Sequence, residues 1–128
     1  MNPYNQALAF IKANSYSSAA GALSKCILSL WNENHRFSIA EILQPLDQYN
    51  TWLVIDMVRL YATHGETQEL LDAGRWVYDH KQDLIEVSNA MSSARSEVIQ
   101  RWEEEYERKI EEEEREEKRR SHNQRNAA

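Results

Sequence analysis

The sequence predicts an all-α fold: a small helical-bundle head followed by a long, charged C-terminal helix with coiled-coil potential. Three observations lead there. Helix-start residues precede successive segments whose apolar positions recur three and four apart. The stretch Val77–Arg120 contains neither proline nor glycine. Its end, Glu103–Arg120, alternates charge in blocks. As one helix, Val77–Arg120 would extend about 65 Å at the usual rise per residue. The expected organisation is a head over residues 1–76, a long helix over 77–120 with an alternative start near Thr67, and a disordered tail over 121–128.

Asn2 and Pro3 open the first helix as cap and first helical residue. Tyr4, Ala7, Leu8 and Ile11 form its buried stripe, and Asn14 and Ser15 end it. Ser17 or Ser18 caps a second helix reaching about Asn34. Its stripe is Ala20, Leu23, Ile27, Leu30 and Trp31, with Cys26 alongside as a small core residue. Gly21 is expected to let a neighbouring helix approach closely.

Ser38 and Glu41 stand in capping-box relation, and Phe37 with Ile42 completes a hydrophobic staple. Pro45 keeps this third helix short. Its apolar residues Ile39, Ile42, Leu43 and Leu46 predict that it lies across the core. Asp47 caps a fourth helix from Gln48 to His64, and Gly65 stops it. Tyr49, Trp52, Leu53, Met57, Leu60 and Tyr61, widened by Val54, Ile55 and Val58, place that helix at the centre of the bundle.

Thr67 caps a fifth segment carrying Leu70, Leu71, Gly74, Val77 and Tyr78, read as continuing through Gly74 into the long helix. Leu84, Val87, Met91, Ala94 and Val98 then form a heptad-like seam. Trp102, Tyr106 and Ile110 follow at steps of four, so the apolar stripe drifts around the helix. Beyond it, Glu104–Arg108, Glu105–Lys109, Glu111–Arg115, Glu114–Lys118 and Glu116–Arg120 are acid-first i, i+4 pairs. Each stabilises a helix by roughly 0.2–0.5 kcal/mol.

Bulk properties narrow the functions. The net charge is −6 at neutral pH. Residues 1–100 carry 7 Lys/Arg against 11 Asp/Glu, and the remainder 8 against 10, so neither part is basic. Direct nucleic-acid binding is therefore disfavoured. One cysteine, Cys26, provides no internal disulfide. Without a signal-peptide pattern or membrane-length apolar run, the expected location is cytoplasmic, with no membrane partner.

No catalytic or cofactor motif is present. The glycines Gly21, Gly65 and Gly74 are too dispersed for a phosphate loop. One Cys and the scattered His35, His64, His80 and His122 lack zinc-ligand spacing. No local nucleophile–base pattern stands out, so no enzyme, catalytic residue, metal or cofactor is expected. Candidate contacts are instead protein-binding. Trp76, Trp102 and Tyr106, with Ile110, place aromatic and apolar surface on the long helix. Asp79, Asp83 and Glu86 form an acidic row beside them, either solvated or a nucleic-acid mimic.

The run Ala22–Asn32, with Leu30-Trp31-Asn32, then Phe37-Ser38-Ile39-Ala40-Glu41-Ile42, then Leu46-Asp47, resembles a group of uncharacterised small bacterial proteins of plasmids, integrative elements and prophages. These share a Leu-Trp-Asn … Phe-x-Leu … Leu-Asp pattern. The likeness covers residues 18–61, and the acidic tail departs from it. It implies a mobile-element origin and no catalytic residue. The expected function is a non-enzymatic, protein-binding accessory protein of a phage or mobile element. Its partner would be a host protein or protein complex, and an anti-CRISPR or anti-restriction inhibitor fits that reading. The alternatives are a self-assembling coiled-coil protein, a homodimer through the C-terminal helix, or a dimeric nucleic-acid-linked regulator.

Overall fold

The computed structural model describes residues 1–127, and every element in it is helical. The chain divides into two compact units, Met1–Ser92 and a second beginning at Ser93. The expected head, residues 1–76, lies within the first unit, which also takes in the start of the long helix.

In the first unit the helices are α1 (Pro3–Ala13), α2 (Ser18–Trp31), α3 (Ile39–Leu43), α4 (Gln48–His64) and α5 (Gln68–His80), followed by the first turns of α6 (Gln82–Ala127). Their starts are built as local chemistry demands. The side chains of Asn2, Ser17, Asp47 and Thr67 each accept a backbone N–H one turn into their helix. Ser38 and Glu41 close a reciprocal capping box on α3, at 3.1 and 2.7 Å. Such caps typically stabilise a helix by ~1 kcal/mol. Gly65 ends α4 at φ 66°, ψ −146°, a backbone region open to glycine and strained for other residues.

Packing is organised by α2, which touches α1, α3, α4 and α5. Leu23, Ile27 and Leu28 of α2 are wholly buried. Tyr4, Ile11, Met57, Leu70 and Val77 close on them from α1, α4 and α5. Tyr4 donates its hydroxyl to the Met57 carbonyl at 3.3 Å, tying α1 to α4. Burial, with smaller contributions from Cys26 and Tyr61, raises the pKa of that phenol.

Several expectations are corrected. α4 is not the central helix: only Asn50, Leu53, Val54 and Met57 are buried, while Tyr49, Trp52, Val58 and Tyr61 are exposed. α3 does not lie across the core, for it buries Ile42 alone and leaves Ile39 70% exposed. α2 stops at Trp31, where Asn32 turns to extended backbone. The two interior glycines exchange roles. Nothing lies near a Cβ built on Gly21, whereas one on Gly74 would overlap the Trp31 indole. Gly74 therefore lies inside α5 where the Trp31 side chain of α2 packs directly on the backbone.

The long helix does not pass through the fifth segment. α5 ends at His80, and Lys81 leaves helical geometry with φ −121°, ψ 59°. The Lys81 amine donates to the Ser15 carbonyl at 2.7 Å, so a tertiary contact holds a break that no proline or glycine marks. Restarting at Gln82, α6 turns Ile85 and Ser88 inward. Val87 and Met91, expected in a seam, are exposed.

The second unit is the remainder of α6. The helix runs on to Ala127 rather than fraying after Arg120, and Ala128 lies outside the described residues. Of the five expected acid-first pairs, only Glu116–Arg120 closes to ion-pair distance among the described residues, at 3.6 Å. Arg115 Nε instead donates to the Glu111 carbonyl at 3.4 Å.

Candidate functional site

The expected contact residues fall into three places. Trp76 belongs to α5 and packs partly against the core. Its indole stacks on His80 with centroids 4.1 Å apart, and the Lys12 ammonium lies 5.2 Å above the ring. Much of this aromatic surface is already used within the head. The acidic row is broken by Lys81. Asp79 stands at the end of α5 and pairs with Arg75 at 3.4 Å, while Asp83 and Glu86 stand on the first turns of α6. Asp79 and Asp83 stand on different helices, so the row does not run along one helix face. Among the described residues, no group of three His, Cys, Asp or Glu side chains is placed to hold a metal ion.

Trp102, Tyr106 and Ile110 remain together on α6. They are 61%, 67% and 38% exposed, on a helix whose surrounding residues are almost all charged. Ile99 is exposed one turn earlier. An indole, a phenol and a branched aliphatic in successive turns bring large apolar area with little rotamer freedom to lose on contact. Such side chains dominate protein interfaces, whereas solvated helix faces seldom expose three of them in succession.

The sequence reading missed two features of the head. The first is a cavity of about 300 Å³ among α2, α3 and α4, lined by Cys26, Phe37, Ile39, Ile42, Val54 and Val58 among others. Its wall is apolar, and the excess of branched residues on α4 was its sequence signal. Burial pushes the Cys26 thiol up to about 12, so the group is not a nucleophile near neutral pH. The second is a buried polar contact. His35 Nδ1 lies 2.7 Å from Ser88 Oγ, the His35 ring stacks on Trp31, and Tyr78 tilts against both. Ser92 Oγ donates to the Asn34 carbonyl at 2.8 Å. These two contacts fasten the start of α6 to the α2–α3 connection. Nothing local in the sequence joins residues 53 positions apart.

The Ser88–His35 pair has the spacing of a nucleophile and base but is not an open site. Both residues are buried, neither lines the α2–α3–α4 cavity, and burial lowers the His35 pKa. The arrangement serves packing and positioning. Among the described residues, no helix is long and apolar enough to cross a membrane. No family model, curated protein or solved structure matches the chain.

Proposed function

We propose that this is a non-enzymatic protein-binding protein whose contact surface is the Trp102–Tyr106–Ile110 stripe of α6. One observation carries the reading: three large side chains are exposed in successive turns of an otherwise charged helix. A helix of this kind recognises a groove or another helix by its apolar anchors, with flanking charges setting register. The resemblance to mobile-element proteins makes a host protein, such as a component of a defence complex, the non-self partner to seek first. The break in the acidic row removes the main support for nucleic-acid mimicry.

The test compares the full chain with its Trp102→Glu/Tyr106→Glu variant as affinity baits in the native host. The expected result is loss of the specifically retained protein, with helical circular dichroism and melting of the head unchanged. Equal retention by both baits would refute the stripe as the contact surface.

A further inference from the structure

We infer that a second copy of this chain occupies the Trp102 stripe, its α6 running antiparallel. Trp102 then lies against Tyr106 of the other copy, and Arg95 against Glu113. The inference rests on reading the stripe as a protein-binding surface and names its occupant.

Register and charge select this partner and this orientation. Arg95, Ile99, Trp102, Tyr106, Lys109 and Glu113 follow one another at steps of four, three, four, three and four, the spacing of a coiled-coil seam. Glu116 continues it. All of these residues are exposed, so the seam is uncovered in the single chain. A parallel, in-register partner would set each seam residue beside its own copy. Arg95, Lys109, Glu113 and Glu116 would then form four like-charge layers around Ile99, Trp102 and Tyr106.

Reversing the partner removes every one of those clashes. With the two-fold axis beside Glu104, Arg95 faces Glu113, Ile99 faces the aliphatic stem of Lys109, and Trp102 faces Tyr106. Symmetry repeats each pairing, as a self-complementary interface requires. The long lysine stem covers Ile99 while its ammonium stays in water. Against this, Glu103 and Glu105 lie near their own copies. Both are on the solvent flank, where salt screens them.

The head bounds the overlap. Within Met1–Ser92 the same helix buries Ile85 and Ser88 and anchors Ser92 on the Asn34 carbonyl, so its seam is taken up to that point. In the antiparallel register Ser92 would face Glu116, and pairing is confined to residues 93–115. That is about 34 Å of helix on each copy. So short a two-stranded contact lies near the lower end of specific interfaces, below about 1,200 Å² in total. The dimer is thus weak and dissociates on dilution.

Sedimentation equilibrium of the full chain over a wide concentration range tests this. The expected result is a reversible monomer–dimer equilibrium. Arg95→Glu and Glu113→Arg each weaken it by roughly tenfold. The double variant recovers to within about threefold of the parent chain, because the exchanged charges still face each other. Arg120→Glu, beyond the overlap on the same seam, leaves the equilibrium unchanged. A chain monomeric throughout, single exchanges without effect, or a double exchange without rescue would each overturn the antiparallel pair. If the chain is monomeric but the Trp102→Glu/Tyr106→Glu bait still loses its retained protein, self-pairing fails while the recognition surface stands. If the stripe alters neither self-association nor retention, both readings fail.

Discussion

The head and the outer part of α6 are both helical, but for different physical reasons. In Met1–Ser92 most helices are short, and α3 has only five residues. Helices of this length are marginal in water and persist through tertiary burial. Leu23, Met57, Leu70 and Val77 supply that burial, and caps close the helix starts. From Ser93 to Asn126 no described residue is buried. There, helical form draws on residues of good propensity and on acid-first spacings three and four apart. The head buries a core of large side chains, whereas the outer helix leaves Trp102, Tyr106 and Ile110 exposed.

Mutations sharpen that contrast, beginning with the core. Leu23→Ala should lower the unfolding free energy of the head by about 2–5 kcal/mol, read from urea denaturation of the full chain. A loss below about 1 kcal/mol, the size of a surface effect, would mean α2 is not the packing centre. Gly74→Ala follows. Although alanine favours helix by about 1 kcal/mol, the added methyl group overlaps Trp31, and a net loss of about 1–3 kcal/mol is expected. The Trp31 ring would have to shift relative to His35 and Tyr78, against which it packs. Gly21→Ala meets no neighbour and should instead stabilise the chain by up to about 1 kcal/mol. Equal effects at the two glycines would mean that Trp31 does not restrict the space at Gly74.

A pH series addresses the His35–Ser88 fastening. Burial holds the folded pKa of His35 below the ordinary 6.5, so the unfolded chain takes up a proton at higher pH than the folded chain. The contribution is complete above the ordinary value, falls as pH drops toward the folded value, and levels off below it. Urea midpoints should therefore decline on mild acidification, with a smaller decline in His35→Gln over the same window. Identical slopes would remove the histidine from the account. The smallest effect is expected in the outer helix. Trp102→Ala should change head stability by less than about 0.5 kcal/mol in dilute protein, checked in the same denaturation experiment.

Legibility followed the range of the interaction. Asn2, Ser17, the Ser38–Glu41 box, Asp47, Thr67 and Gly65 all do what adjacent residues require, because a cap is satisfied within one turn of its own chain. The candidate stripe was legible for a related reason, since helical spacing alone puts Trp102, Tyr106 and Ile110 on neighbouring turns. Lys81 was not legible, because its break depends on a carbonyl at Ser15, 66 positions away. The acidic row failed with it, since Asp79 and Asp83 share one helix only if that break is absent.

Local patterns along the chain suffice to make it helical, to place most helix starts, and to set which large side chains accompany the charged end. Only long-range packing puts α2 rather than α4 at the centre, seats the Trp31 ring on Gly74 rather than leaving room for a neighbour at Gly21, and brings His35 to Ser88. The reason is physical. Helix formation and capping are settled by atoms a few residues apart, whereas burial and close approach depend on which distant surfaces meet, and an apolar face shows no preference for one apolar neighbour over another.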